Sequence, residues 1–244
     1  MTTEDIKQAI AADTEEIIFE VSSVYFHLVR IPTGEFDMGS PSSEEGHNPT
    51  EEPMRRIKIS KAFYLGRYQI TQTQYNAFMG IHRSNFRGDN LAVDQVLYSE
   101  ALEFCKRFSQ YLELKVTLPT EAQWEYACRA GTQTRFSSGD TSKDLDEVAW
   151  YKANSNDRIH EVGQKKPNAW GLYDMHGNVW EPCIDSIPSY ATMPYMDPIG
   201  TVQPRKGIMR GGGWMNELEY CRAASRVMSN DRFGGMGIRI AINP

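Results

Sequence analysis

The first third of the chain alternates apolar and polar positions with the two-residue period of β-strands. Between residues 16 and 34 the apolar positions are largely β-branched or aromatic, as strand interiors prefer, and residues 32–34 form a Pro-Thr-Gly turn signal. A second alternating stretch passes through Ile57 and Ile59 to residues 63–65. These stretches predict the strands of a small sheet.

Four segments instead carry signals of α-helices. They are residues 2–12, 71–80, 99–112 and 120–131. We expect the last three to begin at a hydroxyl N-cap, at Thr71, Ser99 and Thr120. In the last of them Gln123 completes a capping box with Thr120, and Gly131 suits a left-handed helix end.

After residue 131 the pattern contains few helical signals and predicts loops and short strands. Residues 41–53 are rich in Ser, Glu and Pro, which favours an exposed loop. No linker divides the chain. We therefore expect a short N-terminal extension, residues 1–15, and one α+β domain, residues 16–244.

Composition narrows the classes of partner. The 244 residues are 40% hydrophobic and 24% charged, with a net charge of -6 that argues against a nucleic-acid ligand. No apolar run is long enough to span a membrane, and the polar N-terminus does not resemble a secretory signal. The four cysteines form no CxxC pair, so we expect reduced thiols in a cytoplasmic protein.

A set of phrases in fixed order then points to one family. They are residues 34–40, 68–71, 118–131, 171–181, 210–214, 222–226 and 237–239. Together they resemble the formylglycine-generating-enzyme, or sulfatase-modifying-factor, family. The resemblance implies that family's C-type-lectin-like α+β fold, with a small twisted antiparallel sheet, a few helices and little regular structure.

One of these phrases has the oxygen donors of a calcium site. Calcium prefers carboxylate and carbonyl oxygens, and Asp174 and Glu181 bracket a turn in which Gly177 can expose its carbonyl. The resemblance implies side-chain oxygens from Asp174 and Glu181 and carbonyl oxygens from Gly177 and Val179. The alternative is that the two carboxylates only cap turns. A second calcium site near residues 154–157 stays open.

The chain lacks the pair of cysteines that the resemblance implies for catalysis. The resemblance implies two cysteines that bind copper(I), but the first position holds Asn216 and Cys221 does not align with the second. Cys221 is either a buried apolar residue or a redox-active thiol. We therefore assign no catalytic residues.

The closing segment, residues 210–244, retains candidates for a ligand-binding face, similar in layout to the variable proteins of diversity-generating retroelements. The candidates are Trp214, Met215, Asn216, Glu219, Tyr220, Met228, Asn230 and Phe233. Exposed aromatic and methionine side chains suit adaptable recognition, although any of them could instead pack in the core.

Two main functions follow from this sequence. The first is a calcium-stabilised, non-catalytic module that binds a protein or peptide. The alternative is a metal-dependent oxidoreductase of the same family, using non-haem iron or copper on a thiol or peptide substrate. A structural partner subunit of an enzyme is a third hypothesis.

Overall fold

The computed structural model describes residues 1–230 and 234–244, and this part of the chain combines short helices with small antiparallel sheets. The helices are α1 (Thr3–Ala11), α2 (Gln72–Met79), α3 (Tyr98–Leu112), α4 (Glu121–Arg129) and α5 (Ser142–Val148). The strands are β1 (Glu16–Val21), β2 (Val24–Ile31), β3 (Gly34–Met38), β4 (Arg55–Ile59), β5 (Phe63–Gly66), β6 (Val116–Thr117), β7 (Glu181–Pro182), β8 (Lys206–Arg210), β9 (Val227–Asn230) and β10 (Ala241–Ile242). The α+β prediction is confirmed.

Helix starts follow the predicted caps in two of three cases. Thr71 and Thr120 cap α2 and α4, each within a complete capping box. The prediction for Ser99 is wrong, because Leu97 occupies the N-cap of α3 and the Glu100 carboxylate accepts from its backbone N–H at 2.9 Å. Helix α4 also ends one residue early, at a left-handed Ala130.

The sequence prediction missed α5, which lies in the region expected to be loops. Thr141 caps this helix, and Asp144 completes the capping box. Both signals are present in the sequence, but the helix has only seven residues and buries only Leu145 and Val148. So short an element has little helical periodicity to detect.

The largest sheet has five antiparallel strands in the order β1-β2-β5-β10-β6. Strand β10, near the end of the chain, lies between β5 and β6. Strands β3 and β4 pair separately, and β7, β8 and β9 form a third sheet. The third sheet places Glu181 of β7 opposite Arg210 of β8, so it brings the 171–181 phrase to the closing segment.

The two largest of the four hydrophobic clusters in the described residues pack against this framework. In the first, Phe26 lies 4.7 Å from Phe108 of α3, centroid to centroid, and Ile6 and Ile10 anchor α1 in the same core. Strand β1 begins at Glu16. The proposed domain boundary at residues 15–16 stays a prediction.

The second core packs α4 against β3 and β4 around Trp124. This packing buries Glu121 and Glu125 of α4, which then need cationic partners. No helix in the described residues is both long and apolar enough to cross a bilayer.

Candidate functional site

The four residues of the predicted calcium site do surround one point, and the side chain of Gln69 lies there. Gln69 Nε2 is 3.1 Å from the carbonyl oxygens of Asp174 and Gly177. It is 3.0 Å from the carbonyl oxygen of Val179 and 2.9 Å from Oε1 of Glu181. Sequence reasoning gave Gln69 no role, because this residue precedes the calcium phrase by more than a hundred positions.

The orientation of the Gln69 amide follows from its other neighbour, Asn178. The Oδ1 of Asn178 accepts from the His160 N–H at 2.9 Å, so its Nδ2 must point the other way. That Nδ2 donates to Gln69 Oε1 at 3.0 Å. Gln69 Oε1 is thereby committed as an acceptor, and its Nε2 must face the four oxygens.

Glu181, the carboxylate of this cluster, is fully engaged by buried donors. Arg239 donates to both carboxylate oxygens at 2.7 Å, and Trp124 Nε1 donates to Oε2 at 2.7 Å. All three side chains are buried. The charge of Glu181 is therefore balanced by the guanidinium of Arg239.

Asp174 contributes its backbone carbonyl to the shared point, whereas its carboxylate Oδ2 accepts from the Gly163 N–H at 2.8 Å. Burial raises the pKa of Asp174 to about 6, against the lowering effect of the Gly163 hydrogen bond. Its Oδ1 is buried and has no hydrogen-bond partner in the described part of the chain.

As arranged, the oxygen set fits a calcium ion poorly. Calcium takes six to eight oxygens, whereas four converge here and an amide nitrogen lies between them. Over the residues described, no three His, Cys, Asp or Glu side chains are grouped to hold a metal. The calcium site stays a prediction. Whether a second site exists near residues 154–157 stays open.

A second buried network of ion pairs lies below the closing segment. Arg210 of β8 contacts Glu125 at 2.8 Å and Glu121 at 3.0 Å. Arg226 donates to both oxygens of Glu121, at 2.6 and 2.7 Å. The Tyr190 hydroxyl lies in the same network, 3.0 Å from Arg210 Nη2.

Arg226 joins this network to the loop of residues 41–53 by donating to the Thr50 carbonyl at 3.0 Å, and Arg222 forms a separate group of ion pairs with the same loop. Arg222 donates to the two oxygens of Glu51 at 2.7 and 2.9 Å and to Glu44 at 2.6 Å. Burial raises the pKa of Glu51, but the hydrogen bonds and charge of Arg222 outweigh burial and hold this pKa below its usual value. The loop is mostly exposed, as predicted, yet Glu51 ties it to the closing segment.

A cleft of about 350 Å³ lies between this loop and the closing segment. Its lining includes Gly46 and Glu51 from the loop and Glu219, Tyr220 and Arg222 from the closing segment. Arg226 also lines it and is shared with a neighbouring cleft of about 140 Å³ that includes Met228, Ile187 and Pro188. The loop side of this region was missed from the sequence, because nothing local to residues 41–53 indicates their partner.

The predicted ligand residues divide by exposure. Tyr220 is 46% exposed, Met215 47% and Met228 56%, and Glu219 lines the larger cleft. The packing alternative applies to two others. Trp214 is partly buried against Phe86, and Asn216 Oδ1 accepts from Trp180 Nε1 at 2.8 Å. The side chain of Asn230 and all of Phe233 lie outside the described residues.

The thiols near this segment are not poised for chemistry. All four cysteines are unpaired and buried, and burial raises the pKa of Cys221 and Cys128 far above the usual range. His176, beside Cys128, has its pKa lowered to about 4 by burial, and its Nδ1 lies 2.8 Å from the Cys221 carbonyl. The arrangement fits a neutral, structural histidine.

Comparisons of sequence agree on one family. Residues 19–244 match the model of the sulfatase-modifying factor enzyme 1-like domain. The chaperone protein LppX of Paenibacillus barcinonensis is 29% identical over 64% of this chain and 70% of that protein. The formylglycine-generating enzyme of Mus musculus is 28% identical over 88% of this chain and 74% of that enzyme.

Comparisons of structure agree on the fold. Treponema denticola variable protein 1 superposes with a TM-score of 0.85 at 27% identity, covering 94% of this chain and 99% of that one. PvdO from Pseudomonas aeruginosa superposes with a TM-score of 0.82 at 24% identity, covering 93% and 98%. The second similarity concerns the fold alone.

Proposed function

Because the chain belongs to the sulfatase-modifying factor enzyme family and has its fold, we propose that it uses this scaffold as a non-catalytic module that binds a protein or peptide. One observation carries the proposal. The cleft beside the closing segment has an exposed Tyr220 on its rim and a floor of buried ion pairs.

A rigid floor favours recognition because the ligand does not have to order it. Arg222 and Arg226 are each held by two or more hydrogen bonds to buried carboxylates, so their positions are set before any ligand arrives. Interface affinity depends on such preorganisation and on a few aromatic or arginine anchors. Tyr220 is the aromatic anchor that this cleft offers.

Charge at the rim indicates the kind of ligand. The cleft is lined by the carboxylates of Glu51, Glu217 and Glu219 and by the guanidinium groups of Arg222 and Arg226. Arg222 is paired with Glu51, Arg226 with Glu121 and Glu217 with Lys152, which leaves Glu219 as the lining carboxylate with no ion-pair partner among the described residues. We expect the ligand segment to carry Lys or Arg beside an apolar side chain, and we expect its association to weaken with salt.

The residues at the family's copper position support binding over catalysis. Asn216 stands where the resemblance places the first cysteine, and its amide is engaged by Trp180. Cys221 is buried with a raised pKa, which disfavours the thiolate that copper(I) requires. Among the residues that the structure describes, no contact specifically favours the alternative oxidoreductase.

The calcium expectation concerns the separate cluster around Glu181. Nothing in the cleft proposal depends on an ion there.

Selection from a display library of random peptides tests the proposed function. The wild type should enrich peptides with a basic residue next to an apolar one, and Tyr220→Ala should lose them while keeping a native melting curve. Tyr25→Ala is the matched control, because Tyr25 is 61% exposed on β2 outside the cleft. Equal enrichment by Tyr220→Ala and wild type would remove the main support.

A further inference from the structure

We infer that the side-chain amide of Gln69 takes the place of a calcium ion in this protein, because it donates to the four oxygens that converge on it. The geometry points to this role because one nitrogen lies 2.9–3.1 Å from an oxygen of each of the four residues expected to ligate the ion, although Asp174 presents its backbone carbonyl there and not the expected carboxylate. Those distances are normal for N–H···O hydrogen bonds and longer than the 2.3–2.6 Å of calcium–oxygen bonds.

The backbone around the turn depends on this amide. The carbonyls of Asp174, Gly177 and Val179 accept no other hydrogen bond from the described residues. Buried carbonyls need a donor or a cation. Gln69 is wholly buried and supplies two N–H groups to the set, so it does for these carbonyls what an ion would otherwise do.

Gln69 cannot simply rotate to become a calcium ligand. Its oxygen is held by Asn178 Nδ2, and Asn178 is itself held in register by the backbone of His160. Turning the Gln69 amide would place Nε2 against Nδ2 of Asn178, so two N–H donors would face each other in a buried site. The chain of three residues therefore fixes a donor at the centre of the oxygens.

Charge balance also disfavours a divalent ion. The carboxylate of Glu181 is already compensated by the buried Arg239, and an added double charge would lie next to that guanidinium. Like charges in a buried environment interact strongly because the local dielectric is low. A neutral amide satisfies the oxygens without this repulsion.

Wild-type protein provides the first test. After exposure to millimolar calcium and desalting, we expect far less than one calcium per chain by mass spectrometry of metals. We also expect the same melting temperature in EGTA and in calcium chloride. One tightly held calcium per chain, or a fall in melting temperature in EGTA, would overturn the inference.

The Gln69→Glu variant provides the second test, because it replaces the donor by an oxygen with almost no change in size. Without metal, its melting temperature should fall by about 5 °C or more, since several buried acceptors lose their donor. Calcium should recover much of that loss, because the variant has an additional carboxylate and an ion bound only to the folded state stabilises it.

Gln72→Glu is the matched control. Gln72 is also buried, and its Nε2 donates to the carbonyls of Phe86 at 3.0 Å and Ala92 at 3.4 Å. We expect this variant to lose stability with no recovery in calcium. Equal behaviour of the two variants in calcium would show that the oxygens around Gln69 form no ion position, and the inference would fail. If Gln69→Glu does not fold, the wild-type measurements decide.

Discussion

Glu181 and Arg222 each belong to a buried pair of a carboxylate and a guanidinium. The two pairs differ in whether the residues around them are buried or reach the surface. Around Glu181 every neighbour that donates to it is itself buried, including Gln69 and Arg239. Around Arg222 the next residues reach the surface, where Tyr220 is 46% exposed. The first region is closed scaffold, and the second supports an open cleft.

This difference separates stability from recognition. Replacing one partner of a buried ion pair strands the other charge, so both regions should be sensitive to single substitutions. Only the second, however, has positions whose side chains can change with little effect on folding. The comparison predicts that effects on stability decrease from Glu181 outward to Tyr220, while effects on ligand binding increase.

The largest expected effect is that of Glu181→Gln. Arg239 has no other ion-pair partner in the described part of the chain, and the new amide would face donors from Arg239, Trp124 and Gln69. We expect a loss of about 3–5 kcal/mol in unfolding free energy, measured by urea denaturation. The control is Glu103→Gln in an exposed pair with Arg107, where solvent screening should keep the change small. A loss for Glu181→Gln as small as the control would contradict a closed, interdependent cluster.

A smaller effect is expected for Glu51→Gln, because Arg222 keeps Glu44 as a partner. The loss should be about 1.5–3 kcal/mol near neutral pH. Since the folded-state pKa of Glu51 is depressed, its contribution is present above the ordinary value of 4.5 and is lost as pH falls through the folded value. The wild type and the variant should therefore converge in stability as the pH falls below the depressed folded-state pKa of Glu51. A difference in denaturation midpoint that stays constant with pH would show that Glu51 acts without its charge.

Two truncations in the closing segment separate rim from core. Trp214→Ala should cost about 2 kcal/mol, because its ring is partly buried against Phe86, whereas Tyr220→Ala should change stability by only about 0.5 kcal/mol. Thermal melting of the two variants checks this order. A reversed order would place Tyr220 in the core and move the recognition surface elsewhere.

The last prediction expects no change at all: the protein should not convert a cysteine-containing peptide to the aldehyde product. Incubated with copper and a reductant, the protein should leave a Cys-x-Pro-x-Arg peptide unmodified, because Asn216 stands where the resemblance places the first copper-binding cysteine and Cys221 is buried. Mass spectrometry of the peptide measures the outcome. Conversion of its thiol to an aldehyde would show that the chemistry of the family survives on other ligands.

Local features of the sequence were sufficient to predict part of the fold. The caps at Thr71 and Thr120 were predictable because each capping box lies within four consecutive residues. The start of α3 was not, since Leu97 has no capping side chain and only the Glu100 carboxylate completes the turn. Family phrases, read in order, identified the fold where periodicity alone could not.

The candidate sites likewise divide into contacts between residues close in sequence, which could be predicted, and contacts between distant residues, which could not. The clustering of Asp174, Gly177, Val179 and Glu181 could be predicted from the sequence because these residues share one turn. The role of Gln69 could not be predicted, because its contacts to that turn span more than a hundred residues. Glu51 and Arg222 likewise meet across 171 residues.

By itself, the sequence determined the family, the caps at Thr71 and Thr120 and the oxygen-rich turn, and it has Asn216 where the resemblance places a copper-binding cysteine. Each of these depends on which residues stand next to one another along the chain. Only the tertiary structure decided that an amide fills the centre of the oxygens and that Arg222 joins the 41–53 loop to the cleft. These outcomes depend on which buried donors reach which acceptors, and hydrogen bonds and ion pairs of this kind form only after the chain has folded.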